Sequence, residues 1–319
     1  MDQIVHINAQ FIQEETNFLE LIDELKSYFI NDKILSPLRH HHEFLNLNSH
    51  SKTSLLLMPA WNPGINAGIK MVTVNPENSE KGIDSIQGVY IYLDAETGVV
   101  KAILDAKSLT AKRTAAASAL ASTYLSNPKS NALLMIGTGV LAPNLISAHA
   151  SVRPIKTVYV WGRNLNKAQK IADMFISDDI IVTAVDSIAE VLPKVDIISS
   201  ATLSPTPLIK GAYLRKGQHV DLVGSYQPHT READDETIQK ASVFVDTYQG
   251  GLKESGDIVI PLKNGIINRT DIKADLNELC SDKKKGRVSD QEITVFKSVG
   301  HAIEDLAAAN YYHRKFINE

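Results

Sequence analysis

The chain has 319 residues, of which 44% are hydrophobic and 22% are charged, and its formal net charge is −4. These values are typical of a globular protein with one large domain or two, and they give a nucleic-acid partner no electrostatic support. Cys280 is the only cysteine, which excludes an intrachain disulfide and a thiolate metal cluster. The first residues lack the pattern of a signal peptide and no apolar run is long enough to span a membrane, so a cytoplasmic protein without a membrane partner is expected.

The N-terminal part of the chain predicts a helix followed by a set of hairpin strands. A short strand at 4–7 precedes apolar residues at helical spacing within 17–30. Pro37 and the consecutive histidines at 40–42 are expected to interrupt any regular element within 36–44. Strands are then predicted at 53–59, 68–74, 87–93 and 99–104. Consecutive hairpin strands of this kind indicate a largely antiparallel domain before residue 105 or so.

The middle of the chain predicts alternating helices and strands. An alanine-rich segment at 109–126 predicts a helix that begins at Thr110, with Arg113 in its first turn, where free N–H groups attract an anion. Further helices are predicted at 165–175 and 233–240, and strands at 132–136, 157–161, 180–185, 195–199, 219–223 and 243–245. This alternation predicts a doubly wound parallel sheet, and a long helix is expected within 293–316.

A glycine turn follows the first strand of that sheet. The segment GTGVLA at 137–142 matches G-x-G-x-x-A and is followed by a helical segment and a second strand. Gly137 allows the tight turn, Gly139 lets the backbone approach a pyrophosphate, and Ala142 lets the helix pack closely on the strand. Strand, turn, helix and strand in this order predict a dinucleotide-binding unit. The alternative is a tight strand-to-helix turn that binds nothing.

The end of the second strand indicates which dinucleotide is bound. NAD-selective sites usually place Asp or Glu there, whereas an arginine accommodates the 2′-phosphate of NADP. Here Trp161 is followed by Gly162, Arg163 and Asn164, with no carboxylate. NADPH is therefore the expected cofactor and NADH the alternative, although an arginine in a loop can also be merely solvated.

Several segments, in the same order along the whole chain, resemble the ornithine cyclodeaminase/μ-crystallin family. They are Pro37-Leu-Arg39, Met58-Pro-Ala60, Gly68-Ile-Lys70, Asn75-Pro-Glu-Asn78, Leu109-Thr-Ala-Lys-Arg-Thr-Ala115, the glycine turn and Val295-Phe-Lys-Ser-Val-Gly-His-Ala302. The resemblance implies a homodimer and an α/β fold with two domains. A Rossmann domain, a doubly wound parallel sheet at 113–299, is inserted into a mixed, largely antiparallel α+β substrate-binding and dimerisation domain at 1–112 plus 300–319.

The resemblance also implies substrate contacts from Arg39, Lys70, Arg113 and Gly300. The chemistry agrees, because two arginines can clamp a carboxylate through charge-assisted hydrogen bonds. A lysine buried in an apolar strand has a lowered pKa that suits proton transfer, so Lys70 is the predicted catalytic residue. The alternatives are a helix arginine that pairs with a surface carboxylate and a strand lysine that reaches outward to solvent.

Cofactor contacts are implied at positions in several loops, which are Ser85, Gly137, Gly139, Val140, Leu141, Arg163, Thr202, Val223 and Val299. His42 and His301 are candidates for orienting the substrate or supplying a proton, since imidazole titrates in the useful range. No metal is expected, because consecutive histidines point in different directions and no carboxylate or cysteine set accompanies them.

One segment differs from the cyclodeaminases of the family. They carry an aspartate used in hydrolytic chemistry within V-G-G-D-x-P, whereas this chain has Val223-Gly-Ser-Tyr226-Gln-Pro228. With Tyr226 in place of the carboxylate, the site lacks a base for that chemistry and ornithine cyclisation is not expected. Segments of the form DLVGSYxPxxRE and FKSVGHAxEDL resemble instead the Δ1-pyrroline-2-carboxylate reductase branch.

The predicted function is NAD(P)H-dependent reduction of the C=N bond of a small cyclic imino acid that carries a carboxylate. The substrate would be Δ1-pyrroline-2-carboxylate or Δ1-piperideine-2-carboxylate, and the product L-proline or L-pipecolate. Two alternatives stay open. One is an open-chain amino-acid dehydrogenase such as alanine dehydrogenase, and the other is a μ-crystallin-like protein that binds NADPH and a carboxylate ligand without turnover.

Overall fold

A computed structural model describes residues 4–47, 52–176 and 179–318, and the account below refers to these residues. The chain divides into two compact units, Met1–Arg113 with His301–Glu319, and Thr114–Gly300. One unit contains a mixed sheet and the other a parallel sheet of Rossmann type, which confirms the predicted fold class. In the described part of the chain, every helix is too short or too polar to cross a lipid bilayer.

The first unit is built on a six-stranded sheet. Its strands are β1 (Val5–Ile7), β2 (His40–Leu45), β3 (Lys52–Asn62), β4 (Asn66–Val74), β5 (Ile86–Asp94) and β6 (Val100–Asp105). They lie in the order β1-β6-β5-β4-β3-β2, with β1 parallel to β6 and the other neighbours antiparallel. The helices of this unit are α1 (Ala9–Glu14), α2 (Phe18–Ile30), the start of α3 (Ala106–Leu125) and the C-terminal α11 (Ala302–Ile317).

The two faces of this sheet differ. The α11 helix packs on one face, where Asn310 accepts a hydrogen bond from the Tyr92 hydroxyl at 2.7 Å. The side chains buried on that face are Met58, Ala60, Lys70, Val72, Tyr90 and Tyr92. Alternate residues of β3, β4 and β5 point the other way. That second face, here called the open face, is apolar and only partly buried at Leu57, Trp61, Ile69, Val89 and Ile91, and it is exposed at Met71.

Two sequence predictions in this unit are wrong. Residues 36–44 do contain a regular element, because β2 begins at His40 as an edge strand paired with β3. Pro37 lies before the strand and so removes none of its ladder donors, and the histidines are tolerated because all of β2 is exposed. The α3 helix begins at Ala106 and not at Thr110, since Asp105 accepts a hydrogen bond from the Ser108 N–H at 2.7 Å.

The earlier start of α3 changes the surroundings of Arg113. It lies in the interior of the helix, where backbone N–H groups are already bonded within the helix. The expected pull of free N–H groups on an anion beside Arg113 is therefore absent, and any anion held there depends on side chains.

The second unit contains eight parallel strands. They are β7 (Ala132–Ile136), β8 (Thr157–Trp161), β9 (Ile181–Val185), β10 (Ile197–Ser200), β11 (His219–Leu222), β12 (Ser242–Val245), β13 (Ile272–Asp275) and β14 (Thr294–Lys297). The helices that belong wholly to this unit are α4 (Leu141–Val152), α5 (Leu165–Asp173), α6 (Ile188–Val191), α7 (Asp235–Lys240), α8 (Tyr248–Glu254), α9 (Gly256–Lys263) and α10 (Leu276–Cys280). The inner strands are buried, as expected for a parallel sheet covered on both faces, and β7 is apolar throughout, whereas β10, β11 and β14 also bury polar side chains.

The sheet is larger than the sequence predicted. The strand order is β13-β12-β14-β11-β10-β7-β8-β9. The sheet was expected to be complete with the strand at 243–245, but β13 is added at its edge and β14 lies between β12 and β11. The residues of β14 were included in a long helical segment, but the helix begins only at Ala302. A strand this short cannot be distinguished from a helical segment by periodicity, and Gly300, with φ of 82°, separates the two elements.

The strand order reverses direction at β7. Strands β8 and β9 lie on one side of it, and β10 and β11 lie on the other. The carboxyl ends of β7 and β10 therefore flank a topological switch point, the place where open α/β sheets bind their ligands.

Candidate active site

Lys70, Arg113 and two carboxylates of α11 form a buried charged cluster in the first unit. Lys70 Nζ donates to Asp305 Oδ1 at 2.8 Å, and Arg113 Nε lies 2.9 Å from the same oxygen. Arg113 Nη1 also donates to Glu304 Oε2. Lys70 is 3% exposed and Arg113 5%, while both carboxylates are fully buried. The structure thus brings together two of the predicted substrate residues and adds two partners that were not predicted.

Two elements hold the carboxylates opposite Lys70. The β4 strand directs Lys70 to the face on which α11 packs. The predicted residue His301 is the N-cap of α11, with Nδ1 accepting from the Ile303 N–H at 3.4 Å. Glu304 and Asp305 then lie in the first turn of that helix, where the helix dipole stabilises negative charge.

Burial and the neighbouring charges act in opposite directions on the pKa values of Lys70 and Asp305. Burial, and after it the charge of Arg113, lowers the pKa of Lys70 to about 8, although Asp305 opposes the change. Burial alone would raise the pKa of Asp305, but the charges of Arg113 and Lys70 outweigh it and lower that pKa, so Asp305 stays ionised. Lys70 can therefore give up a proton near neutral pH, as a general acid must.

Arg39 also acts on this cluster. It lies half-buried in the segment before β2, and its charge lowers the pKa of both Lys70 and Asp305. Within the cluster itself, Lys70 when protonated and Arg113 lie against the two carboxylates Glu304 and Asp305. The guanidinium groups of Arg39 and Arg113 are of the kind that binds a small carboxylate.

Tyr90 adds a hydroxyl that the sequence prediction missed. It is the β5 neighbour of Lys70 in the sheet register and is fully buried. Its hydroxyl has no hydrogen-bond partner in the described part of the chain and lies over Gly68, where an added Cβ would come within 2.2 Å of it. Burial and the charge of Asp305 raise the pKa of Tyr90, so the phenol stays protonated and can donate.

The glycine turn of the second unit fits a pyrophosphate. Gly137 has φ of 125°, and an added Cβ would lie 2.7 Å from the Ala201 carbonyl oxygen. A Cβ at Gly139 would meet nothing within 4 Å, so the backbone is open on that side. The α4 helix follows at once, and its N-cap residue Val140 makes no side-chain capping bond. Uncapped N–H groups beside a glycine turn at the switch point are a suitable anion site.

The other predicted cofactor residues of the second unit follow the carboxyl ends of its strands. Leu141 is the first residue of α4, and the exposed Arg163 follows β8. Thr202 follows β10, Val223 follows β11, and Val299 follows β14, next to Gly300. Because the strands are parallel, these residues lie at the same edge of the sheet. Tyr226 is half-buried in the segment after β11.

The remaining predicted residues lie in the first unit. Ser85 precedes β5, and His42 is exposed on the edge strand β2, two strands away from Lys70 on β4. Within the described ranges, no group of three or more His, Cys, Asp or Glu residues is arranged to hold a metal ion.

Two buried carboxylates support the edge of the parallel sheet and were also missed. Asp246 Oδ2 accepts from the Val299 N–H at 2.7 Å and the Gly300 N–H at 2.8 Å. Glu232 accepts from the Thr202 and Gly224 N–H groups, each at 2.7 Å. Both side chains are fully buried. An acidic residue just after a strand or loop gives no local signal of such a role.

Comparison with known proteins gives matches over nearly the whole chain. A model of the ornithine cyclodeaminase/mu-crystallin family matches residues 3–319. The chain is 39% identical over 308 residues to the Delta(1)-pyrroline-2-carboxylate reductase of Colwellia psychrerythraea, covering 95% of this chain and 96% of that protein.

Solved structures give the same result. Delta(1)-pyrroline-2-carboxylate reductase of Thermococcus litoralis, in complex with NADH and L-proline, has a TM-score of 0.92 at 34% identity and covers 99% of this chain and 98% of that one. An archaeal alanine dehydrogenase dimer with bound NAD has a TM-score of 0.91 at 27% identity and covers 99% of this chain and 96% of that one. The resemblance predicted from the sequence, including that to the reductase branch, is confirmed. The chain belongs to the ornithine cyclodeaminase/mu-crystallin family.

Proposed function

We propose that the protein is an NAD(P)H-dependent reductase that converts a cyclic imino acid into a cyclic amino acid. The substrate is Δ1-pyrroline-2-carboxylate or its six-membered homologue Δ1-piperideine-2-carboxylate, and the product is L-proline or L-pipecolate. The observation that carries the proposal is the buried cluster of Lys70, Arg113 and Asp305, which holds a lysine and a guanidinium group side by side on one carboxylate. Similarity to reductases of this kind over nearly the whole chain supports it.

The residues of the first unit have distinct roles in this reaction. Arg39 and Arg113 hold the substrate carboxylate, since guanidinium groups bind carboxylates with defined geometry. Lys70 gives a proton to the imine nitrogen, and Asp305 keeps the ammonium group in place by its 2.8 Å hydrogen bond. Tyr90 has a protonated hydroxyl available as a further donor beside them. When bound, the dinucleotide supplies the hydride.

The second unit holds the dinucleotide. The turn at Gly137 and Gly139 and the start of α4 would hold its pyrophosphate. Arg163 is exposed directly after β8, where NAD-selective sites place an Asp or Glu that this segment lacks. The arginine therefore favours NADPH, which carries a 2′-phosphate, over NADH. The substrate-binding and dimerisation domain, 1–112 plus 300–319, corresponds to the first unit, and the dinucleotide domain, 113–299, corresponds to the second unit, with each boundary within one residue of the unit boundary.

The protein acts as a homodimer. The open face of the six-stranded sheet places Leu57, Met71 and Val89 in one cross-strand row and Ile69 and Ile91 in the next. Contiguous apolar surface of this kind marks a protein interface. The alanine dehydrogenase of similar fold is a dimer, which supports the same assembly for this chain.

The test is the initial rate of NADPH oxidation by the purified protein with each of the two imines, with product identified by chromatography. Equimolar formation of L-proline or L-pipecolate supports the proposal. Turnover of pyruvate with ammonia, but of neither imine, would assign an open-chain amino-acid dehydrogenase. Binding of NADPH without turnover of any of them would assign a binding protein. Ammonia release from ornithine is not expected, because Tyr226 provides no carboxylate base.

A further inference from the structure

Glu232 makes an unusual number of hydrogen bonds at the carboxyl edge of the parallel sheet. Its Oε1 accepts from Ser200 Oγ at 2.6 Å, the Thr202 N–H at 2.7 Å and Thr202 Oγ1 at 3.0 Å. Its Oε2 accepts from the Gly224 N–H at 2.7 Å and the Ser225 N–H at 3.2 Å. One oxygen therefore bonds to the end of β10 and its loop, and the other bonds to the loop after β11.

The two loops that Glu232 joins are in close backbone contact. A Cβ added to Gly224 would lie 2.0 Å from the Thr202 nitrogen and 2.2 Å from the Thr202 oxygen. No side chain can be placed between the loops, and their N–H groups point to a common acceptor. The same loops carry Thr202 and Val223, two of the positions expected to contact the dinucleotide, beside the switch point.

Lys297 supplies a buried counter-charge. Its Nζ lies 3.2 Å from Asp257 Oδ2 and 3.8 Å from Glu232 Oε2, and all three side chains are fully buried. Asp257 Oδ1 accepts from the Glu232 N–H at 2.7 Å and the Ala233 N–H at 3.0 Å, so Asp257 fixes the backbone that carries Glu232. Two carboxylates, Glu232 and Asp257, therefore share one lysine, so a proton gained by either carboxylate changes the net charge of the buried cluster.

We propose that Glu232 is a positioning residue of the dinucleotide site, which ties the loops after β10 and β11 to each other so that Thr202 and Val223 meet the cofactor in a fixed arrangement. This inference rests on the proposed function, because it requires that the second unit binds a dinucleotide. A carboxylate is needed for this role, since both of its oxygens must accept hydrogen bonds.

The matched variants are Glu232→Gln and Asp234→Asn. The glutamine amide would present N–H donors to the N–H donors of one loop, so that loop loses its acceptor. Asp234 is a suitable control because its Oδ1 also accepts from two backbone N–H groups, those of Gly211 and Thr237, each at 2.9 Å. Its hydrogen bonds lie at the start of α7 and not in the loops after β10 and β11.

Three measurements are made on each variant: amide hydrogen exchange, the Kd for NADPH by fluorescence, and the melting temperature. In Glu232→Gln we expect faster exchange at Thr202 or Gly224 and a Kd raised about tenfold or more, the scale of one lost charge-assisted hydrogen bond. In Asp234→Asn we expect both to stay at the wild-type level. Wild-type exchange and wild-type Kd in Glu232→Gln would overturn the inference, as would equal weakening of NADPH binding in both variants.

A second measurement uses the unmodified protein, so the inference stays testable if Glu232→Gln does not fold. Burial raises the pKa of Glu232 to about 7, with Lys297 opposing and Asp257 reinforcing the change. A proton on Glu232 converts one acceptor oxygen into a donor, so protection of Thr202 or Gly224 should decrease as the pH falls from 8 to 6, after correction for intrinsic exchange. Gly211 and Thr237 should stay protected. An equal loss of protection at Thr202 and Gly224 and at Gly211 and Thr237, or no loss at either pair, would contradict the inference.

These outcomes separate the inference from the proposed function. A protein that binds NADPH but reduces neither imine would refute the proposed reaction alone. A protein that binds no dinucleotide would refute both. A protein that reduces an imine, while Glu232→Gln binds NADPH and exchanges its amides like the wild type, would refute the positioning role alone.

Discussion

At the scale of single residues, Asp305 determines what Lys70 and Arg113 can do. Its Oδ1 accepts from Lys70 and faces Arg113 Nε, so the two cations are held in place before any substrate arrives. A positioned cation avoids the entropy cost of ordering a long side chain on binding. The shared carboxylate also keeps Lys70 mostly protonated at neutral pH despite its burial, because Asp305 opposes the effect of desolvation.

The first prediction concerns Lys70→Met, which keeps the volume and removes the charge and the proton. We expect kcat for imine reduction to fall by about a hundredfold or more, the usual scale for loss of a positioned acid or base. The Kd for NADPH should stay unchanged. The control is Lys112→Met, because Lys112 is also buried but lies over the Phe18 ring, 5.4 Å from its centroid, and should keep its kcat. A normal kcat in Lys70→Met would exclude Lys70 as the proton donor.

The second prediction is the pH dependence that follows from the pKa of Lys70, which is about 8. The donor is competent when protonated, so kcat/KM should be steady below this pH and decrease as the pH rises through it. Bound carboxylate adds a negative charge beside Lys70 and raises its pKa, so the decrease in kcat should come at higher pH than the decrease in kcat/KM. The measurement is the pH profile of both parameters. If kcat/KM already decreases as the pH rises between 5 and 7, the proton donor is a different group.

The third prediction concerns Arg163, whose exposed side chain follows β8. Arg163→Asp should weaken NADPH binding at least tenfold, since it replaces a partner of the 2′-phosphate with a charge that repels it, and it should spare or improve NADH. Kd values for both dinucleotides are the measurement. An equal loss of affinity for the two would show that Arg163 does not contact the 2′-phosphate.

At the scale of elements, the sequence predicts best where the signal is local. The glycine turn at 137–142 and the alternating helices and strands can be recognised because each pattern lies within one short segment. The observed start of α3 lies four residues before the predicted one, because the single carboxylate of Asp105 caps the helix. The prediction also did not separate the short strand β14 from the helix that follows it. Such errors arise where one hydrogen bond or a four-residue strand decides the boundary.

The candidate site was predictable only in part for a related reason. Lys70 and Asp305 are 235 residues apart in the chain, and Arg113 and Glu304 are 191 apart. Nothing local distinguishes the carboxylates of α11 from solvated acidic residues in a first helical turn, a common place for them. Their burial depends on the packing of α11 against the six-stranded sheet, which the sequence pattern does not specify.

The fourth prediction belongs to the element β11, whose first residue is His219. Burial, opposed by Asp221 but reinforced by nearby cations, lowers the pKa of His219 to about 3. The unfolded chain therefore binds more protons than the folded one below the ordinary histidine pKa, so stability decreases as the pH falls from about 6.5 toward 3. The contribution is about 1.4 kcal/mol of unfolding free energy per pH unit within this window.

The check is urea unfolding between pH 5 and pH 7 for the wild type and His219→Gln. Glutamine can still bond to Thr294 Oγ1, which lies 3.0 Å from His219 Nδ1, but it does not titrate. The variant should show a shallower decrease in unfolding free energy toward acidic pH. His6→Gln, a change at an exposed histidine, should keep the wild-type slope. An unchanged slope in His219→Gln would mean that another group determines the acid sensitivity.

At the scale of the whole molecule, each unit has a separate chemical task in the proposed reaction. The first unit concentrates cations around a buried carboxylate pair, and the second presents backbone N–H groups at a switch point. The first unit also has one sheet face packed against α11 and an open face that is apolar. The packed face holds the reactive side chains, so the open face is available for assembly without disturbing them.

The last prediction concerns that assembly. Met71 is 42% exposed at the centre of the row it forms with Leu57 and Val89 on the open face. Met71→Glu would bury a charge in the proposed dimer interface, and an unpaired buried charge costs several kcal/mol. We therefore expect the wild type to sediment as a dimer and Met71→Glu as a monomer at micromolar concentration. Met174→Glu is the control, because Met174 is also exposed but lies at the end of α5, and it should remain a dimer. A wild-type monomer would refute the homodimer, and a dimeric Met71→Glu variant would place the interface on a different surface.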